Sequence, residues 1–277
     1  MSPLSGTKSV ARAAETSRDT SVQVVAKVGA LLDCLAEEGE TTASELADRI
    51  GEPRSTVYRL LTTLQRLDMV EPGSRRGTYR LGLALLRLGS AVVARFDERQ
   101  AALPVMERIH EETGETVFLC IRRGHEAVCI ERLDGRRVQS LALRLGGSLP
   151  LHAGAAPRVL LAFEPETLWS EYVGAQPLDA FTDTTPTTRA ALFSSLEETR
   201  ERGYAISDED VTLGIAAIGA PIFDYQGSLR AALSVSGVRP AILGEQGADL
   251  TRLVVDGAHE VSRTLGYVRQ DEGSDGA

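Results

Sequence analysis

The sequence predicts an α+β protein in two parts: a winged helix-turn-helix domain at the N-terminal end, and behind it a longer domain of mixed helix and strand. Three observations carry this. A helix-start signal, a turn glycine and a proline-led amphipathic stretch follow one another between Thr42 and Leu67. A hairpin pattern comes directly after them, at 69–81. From Thr116 onward the apolar spacing changes from a helical period to the alternation of strands. A chain of 277 residues suits two domains, and 43% hydrophobic with 25% charged residues excludes bulk disorder. The 26 glycines and 11 prolines show no triplet period, which excludes a collagen-like chain. No apolar run approaches the roughly eighteen residues needed to cross a bilayer.

Residues 1–20 carry no apolar periodicity and read as a disordered tail, as do 269–277 (RQDEGSDGA). Val24, Val28, Leu31 and Leu35 mark an amphipathic first helix from about Ser21 to Ala36. Thr42 and Glu45 form a capping box: the threonine hydroxyl accepts from the Glu45 N–H while the carboxylate reaches back. Leu46, Ala47 and Ile50 then share one face of a short helix, and Gly51 supplies a left-handed turn. Pro53 begins a third helix over 53–67 with Val57, Leu60, Leu61, Leu64 and Leu67 inward, leaving Arg54, Ser55, Thr56, Tyr58 and Arg59 mainly outward.

Further along, helices are expected to about Arg95 and from about Arg99 to Glu112. Strands follow at 117–121, at 128–130 beyond a turn at 123–125, and at Val138–Leu145. Helices at 153–163 and 187–202, strands at 215–223 and 229–236, and a closing helix at 246–265 complete the pattern. The domain boundaries expected are a head at 21–82, a linker helix at 83–98 and a second domain at 99–268.

Charge is divided unevenly. The chain carries −9, yet between Pro53 and Gly82 six arginines stand against two acids, leaving −13 for the remainder. Such an asymmetry fits a nucleic-acid-reading module on an acidic body. In a winged helix-turn-helix the second helix of the pair enters the major groove of duplex DNA. Arg54 and Arg59 suit guanine edges or phosphate, Ser55, Thr56 and Tyr58 suit phosphates or base edges, and Arg75 and Arg76 at the hairpin tip suit the backbone or minor groove. The competing reading is an ordinary helical hairpin whose arginines form a solvated face.

The segment TASELADRIGEPRSTVYRLLTTL, Thr42 to Leu64, closely resembles the DNA-binding head of the IclR family of bacterial transcriptional regulators. Tyr79-Arg-Leu-Gly-Leu83, Glu112-Thr-Gly-Glu-Thr-Val117, Leu149-Pro-Leu-His-Ala153, Arg202-Gly-Tyr-Ala205, Ala220-Pro-Ile222 and Ala232-Leu-Ser-Val-Ser-Gly237 follow in the family's order, so the likeness spans about 21–266. The resemblance implies a homodimer or dimer of dimers on a roughly palindromic double-stranded operator, and a GAF-like α/β C-terminal domain that binds a small effector. It further implies an effector pocket of Ala155, Ala156, Ser207 with neighbouring Asp208, Ala217, Ser234 and Ser236. A helix start and two hydroxyls there suit a carboxylate or other polar anion; the alternative is that both serines satisfy backbone groups of a sheet. The family commonly has Gly-Lys at Pro157-Arg158, often Asp at Ser207, and often Cys at Ala217 in members that recognise small oxo acids. These departures imply a different ligand, larger or more apolar.

Other chemistry is set aside. His110, His125, His152 and His259 are scattered without metal-ligand spacing, so no metal is expected. Of these, His152 borders the implied pocket and reads as a structural hydrogen bonder. Cys34, Cys120 and Cys129 form no CxxC pair, and with no secretory signal the chain reads as cytoplasmic with reduced thiols. A turn centred on Gly124-His125 would make Cys120 and Cys129 cross-strand neighbours. No GxSxG elbow, Walker loop or Rossmann fingerprint occurs, so neither a cofactor nor a catalytic residue is expected. The alternatives kept open are a small-molecule enzyme, with Asp208 or Glu209 as its carboxylate, and a sensory module that does not touch DNA.

Overall fold

A computed structural model of the chain describes residues 7–93, 97–136 and 142–268, and the chain divides at Ala94/Arg95 into two units. The first unit opens with α1 (Thr7–Glu38), so the expectation of a disordered tail is corrected over 7–20. Between Thr7 and Glu38 there is no proline and one glycine, Gly29, amid alanines, arginines and glutamates that favour helix. A missing apolar stripe argues against a buried face, not against a helix.

After α1 come β1 (Thr41–Thr42), α2 (Ala43–Ile50), α3 (Arg54–Arg66), β2 (Val70–Pro72), β3 (Thr78–Leu81) and α4 (Leu83–Val93). The three strands form an antiparallel sheet in the order β1-β3-β2, with Thr41 opposite Tyr79 and Val70 opposite Leu81. Leu31 and Leu35 of α1, Leu46 of α2, Val57, Leu60, Leu61 and Leu64 of α3 and Val70 make one buried core. Gly51 takes φ 66°, ψ 30° at the end of α2 and turns the chain into α3.

The second unit contains α5 (Asp97–Thr113), β4 (Thr116–Arg123), β5 (Glu126–Leu133), β6 (Ser148–Pro150), α6 (Ala155–Ala162), α7 (Glu166–Ala175), α8 (Arg189–Arg202), β7 (Ala205–Asp208), β8 (Ile215–Phe223), β9 (Leu229–Val238), α9 (Arg239–Leu243) and α10 (Gly247–Thr264). Its six strands form one antiparallel sheet in the order β6-β5-β4-β9-β8-β7. Strand alternation divides its side chains between two cores. Val117, Leu119, Ile218, Leu233 and Val235 pack with Val105, Met106 and Ile109 of α5 and Val254 and Val261 of α10. Phe118, Cys120, Cys129 and Ala232 pack on the opposite face with Val159 and Leu160 of α6, Trp169 and Tyr172 of α7, and Leu192 and Leu196 of α8.

Of the strand expected at Val138–Leu145, residues 138–141 lie outside the described residues, and over 142–145 the expectation is corrected, since these are not strand. The chain instead reaches β5 through glycines, Gly146 donating to the Cys129 carbonyl and Gly147 accepting from the Cys129 N–H, before β6 pairs in register. The tail reading for 269–277 also falls outside the described residues. Cys120 and Cys129 are register partners and both are fully buried. Among the described residues no helix is long and apolar enough to cross a membrane, and no His/Cys/Asp/Glu group fits a metal ion.

Candidate functional sites

The α3 helix presents two opposed faces. Val57, Leu60, Leu61 and Leu64 are buried, while Arg54, Ser55, Tyr58 and Arg59 are exposed and Thr56 is half-buried. Arg54, Arg59 and Arg76 make no ion pair or hydrogen bond among the described residues, whereas the neighbouring Arg49 and Arg80 are held by Glu38 and Glu71. These three exposed cations therefore keep their full donor sets, the state that meets phosphate or guanine without first breaking an internal pair.

Ahead of α3 the capping box forms as the sequence predicts. The Glu45 N–H donates to the Thr42 hydroxyl at 3.3 Å, and the Thr42 N–H donates to the Glu45 carboxylate at 2.8 Å. That backbone bond, with the Thr42 and Thr41 hydroxyls, holds the Glu45 carboxyl down to about 2. The wing has its own anchor in Glu40, which the sequence reading missed. Its carboxylate accepts from the Thr78 hydroxyl, from the Arg75 N–H at 2.9 Å and from the Ser74 hydroxyl at 2.9 Å, and these bonds hold it far below the ordinary carboxylate range. The tip turn carrying Arg75 and Arg76 is thus fixed to the residue before β1, with the Arg75 guanidinium 3.6 Å from the same carboxylate.

A pH dependence follows with a definite sign. Both carboxyls are depressed in the folded state, so the stability they contribute is complete above the unfolded value near 4.3 and is lost as pH falls below it, toward about 2 for Glu45 and further down for Glu40. Between about pH 5 and pH 2 the melting temperature of the wild type should fall more steeply than that of an E40Q/E45Q variant. Parallel curves in a circular dichroism melting series would show that the unfolded chain retains the same bonds.

In the second unit, strand register builds a floor of small residues under the start of α6. Phe118, Ser234, Gly219 and Ala205 lie abreast on β4, β9, β8 and β7, and beside them run Thr116, Ser236, Ala217 and Ser207. A Cβ at Gly219 would stand 3.0 Å from the Ala155 carbonyl carbon and 3.1 Å from the Ala156 nitrogen, so α6 begins almost in contact with the sheet. The small side chains leave a cavity of about 60 Å³, walled also by Leu143, Leu149, Val211, Thr212 and Ile215. Gly154 starts α6 at φ 95° with no side-chain cap, and Pro157 has no N–H to offer.

Behind this helix start lies a buried ion pair. Arg158 donates to Asp210 and to the Ile206 carbonyl, Ser207 donates to the other Asp210 oxygen, and the Gly154 N–H reaches Asp210 at 3.4 Å. The Thr185 and Thr182 hydroxyls fasten the Asp210 and Glu209 carbonyls, each at 2.7 Å. Burial lowers the Arg158 guanidinium to about 10, which leaves it charged at neutral pH.

Family models match both units: the IclR helix-turn-helix domain over residues 24–73 and the bacterial transcriptional regulator IclR C-terminal domain over 90–263. The chain belongs to the IclR family. Its relatives include the HTH-type transcriptional regulator KipR of Bacillus subtilis, 32% identical over 88% of this chain and 98% of that protein. A crystal structure of Thermotoga maritima IclR matches with TM-score 0.76 at 32% identity, covering 89% of this chain and all of that one. An IclR homologue from Microbacterium hydrocarbonoxydans, solved with 4-hydroxybenzoate, matches with TM-score 0.75 at 27% identity over 88% of this chain and 99% of that one. The protein is accordingly an IclR-type transcriptional regulator with a helix-turn-helix head and a C-terminal effector domain.

Of the effector residues expected from the IclR resemblance, the structure brings Ala155, Ala156, Ser207, Ala217, Ser234 and Ser236 to one cavity. Asp208 is the correction. β7 alternates, so Ser207 faces the cavity while Asp208 turns outward and holds Arg239 through contacts of 2.6 and 2.9 Å. The two strand serines also differ: Ser236 donates to the Ala216 carbonyl at 3.0 Å, whereas the Ser234 hydroxyl has no partner among the described residues. His152 lies outside the cavity lining, its ring bonded to the Tyr172 hydroxyl and the Asp179 carbonyl. Arg158 and Asp210 were not foreseen. Their signal was an arginine set inside the otherwise apolar run Ala155–Ala162, which burial obliges to find an acid.

Proposed function

We propose that this IclR-family regulator is not an enzyme. It works in the cytoplasm as a homodimer or dimer of dimers, reading a roughly palindromic duplex operator through α3 and the wing. It changes that affinity when a small anion fills the cavity beneath α6. In this reading 21–82 is the DNA-binding domain, 83–98 the linker and 99–268 the effector domain. Arg54, Ser55, Thr56, Tyr58, Arg59, Arg75 and Arg76 contact DNA, and Ala155, Ala156, Ser207, Ala217, Ser234 and Ser236 contact the effector.

The observation that carries the reading is the set of unpaired exposed arginines, Arg54, Arg59 and Arg76, on a helix and wing whose other faces are fixed by packing and by Glu40. Self-association is supported by α4, where Leu83 and Leu86 are 72% and 67% exposed, more apolar surface than a lone helix leaves in water. Effector sensing is supported by the Microbacterium homologue with its bound hydroxybenzoate. The effector alters DNA affinity only so far as it binds one arrangement of the heads better than another.

Selection from a pool of random-sequence duplexes tests the proposal. The protein should enrich an inverted repeat whose half-sites lie about one helical turn, or a multiple of it, apart, and its affinity should fall steeply with salt. Enrichment of no sequence over the starting pool sinks it.

A further inference from the structure

We propose that Cys120 and Cys129 are a peroxide-responsive dithiol that closes to a cross-strand disulfide. A β-bulge sets the pair. Leu119 lies opposite Glu131, so an unbroken ladder would bring Ile130 opposite Cys120; the register slips by one residue and brings Cys129 there instead. Residues directly opposite in an antiparallel pair have Cα atoms about 4.5–5.5 Å apart, inside the span of about 4.4–6.8 Å that a disulfide bridges. Both side chains lie on the same face of the sheet, in the core shared with α6, α7 and α8. The sulfurs already meet: the Cys120 thiol is hydrogen-bonded to Cys129, and the Cys129 thiol donates onward to the Glu131 carbonyl at 3.2 Å. Cys34, the third cysteine, lies in the core of the first unit.

The surroundings select the oxidant. Both residues are 0% exposed, which bars a bulky or charged disulfide, whereas a small uncharged peroxide enters through brief local opening. Cys129 lies on β5, one strand in from the sheet edge, where its backbone bonds to the Gly146-Gly147 turn. Its sulfur attacks one peroxide oxygen, the O–O bond breaks, and the thiol proton leaves with the other oxygen as water, giving a sulfenic acid. The Cys120 sulfur then displaces that hydroxyl, which departs with the Cys120 proton as a second water, and the disulfide is formed. The bond to Cys129 and burial both push the Cys120 thiol up, which suits it to this second step and not the first. Closing the bond moves the cavity beneath α6. Opposed Cβ atoms stand about 4.5–5.5 Å apart in a sheet and about 3.8 Å apart in a disulfide, so the strands are drawn together by about 1 Å. Cys120 is two residues from Phe118 on the same face of β4, and Cys129 holds the turn that leads to Leu149, so floor and wall shift together. This regulatory half rests on the reading above that the cavity governs duplex binding; the thiol chemistry does not.

The test is hydrogen peroxide treatment of the full chain, followed by unfolding, alkylation and mass spectrometry. The reduced chain, with three cysteines, takes three alkyl groups; after peroxide it should take one, on Cys34, with the Cys120 and Cys129 peptides linked. Dithiothreitol should restore all three. Oxidised glutathione should leave Cys120 and Cys129 free. Cys120→Ser, its fold checked by circular dichroism, should stop at a Cys129 sulfenic acid that dimedone traps. In gel-shift titration with the selected duplex, the oxidised protein should differ from the reduced by about fivefold or more, the low end of an allosteric coupling, and C120S/C129S should not respond to peroxide. Three alkyl groups after peroxide, a bond through Cys34, equal closure by oxidised glutathione, or unchanged duplex affinity after complete closure overturns the proposal. A reduced protein that selects no duplex defeats the earlier reading alone, and the alkylation count still decides the dithiol.

Discussion

Replacing Asp210 by alanine should destabilise the C-terminal unit by about 3–5 kcal/mol, because it strands a charge that the fold has fully enclosed. Arg158 and Asp210 are both buried, and the guanidinium, though lowered by burial to about 10, is still a cation at neutral pH. Its Nε already lacks a partner, so the acid supplies the one compensating charge. The same substitution removes the acceptor for the Ser207 hydroxyl and for the Gly154 N–H at the head of α6. For a unit of roughly 180 residues, about 1 kcal/mol moves the midpoint by about 2–4 °C, so a fall on the order of 10 °C is expected in calorimetry at pH 7. The double replacement R158M/D210L should cost far less than the single, since an ion pair removed whole leaves no orphan. Equal losses for single and double would mean the pair is not the source of the penalty.

What the sequence made legible was what a helix writes locally. The capping box at Thr42 and Glu45, the left-handed Gly51 and the apolar stripe of Val57, Leu60, Leu61 and Leu64 each depend on neighbours within a turn or two, and each is present as predicted, whereas Leu67, expected to complete the stripe, falls beyond the end of α3 and is 55% exposed. Elements too short to express a period were lost, as with the two-residue β1 and the three-residue β6. Within the expected strand 138–145, residues 142–145 are not strand because the chain turns at Gly146-Gly147, whose backbone bonds reach Cys129. The cavity could not be derived from local pattern at all. Phe118, Ser234 and Gly219 come together only because β4, β9 and β8 are adjacent in the sheet, and Arg158 finds its acid 52 positions away. The separation of Asp208 from the cavity was within reach: once β7 is read as a strand, period two places Ser207 and its successor on opposite faces.

Removing both Arg54 and Arg59 should nearly abolish specific DNA binding while leaving the fold untouched. Both side chains are exposed and make no bond to the described residues, so their loss should change stability by no more than about 0.5 kcal/mol, and the melting curve becomes the control. Each arginine that reads a guanine edge is worth about 1–3 kcal/mol, and a two-fold dimer repeats every contact, so each substitution is expected to cost between about 2 and 6 kcal/mol of operator affinity. Salt titration then separates two roles that α3 leaves mixed. An arginine on a base edge should lower affinity for the selected sequence and relax preference at one position, whereas one on a phosphate should weaken all duplexes alike and reduce the salt slope by about 1 per contact. Glu40→Ala gives the contrast: it leaves Arg54 and Arg59 in place but frees the tip turn, so it should reduce the salt slope by about 1 through Arg75 and Arg76 without relaxing base preference. If the double arginine variant keeps wild-type affinity and slope in gel-shift titrations, α3 does not lie in the groove, and the exposed guanidinium groups are merely a solvated surface.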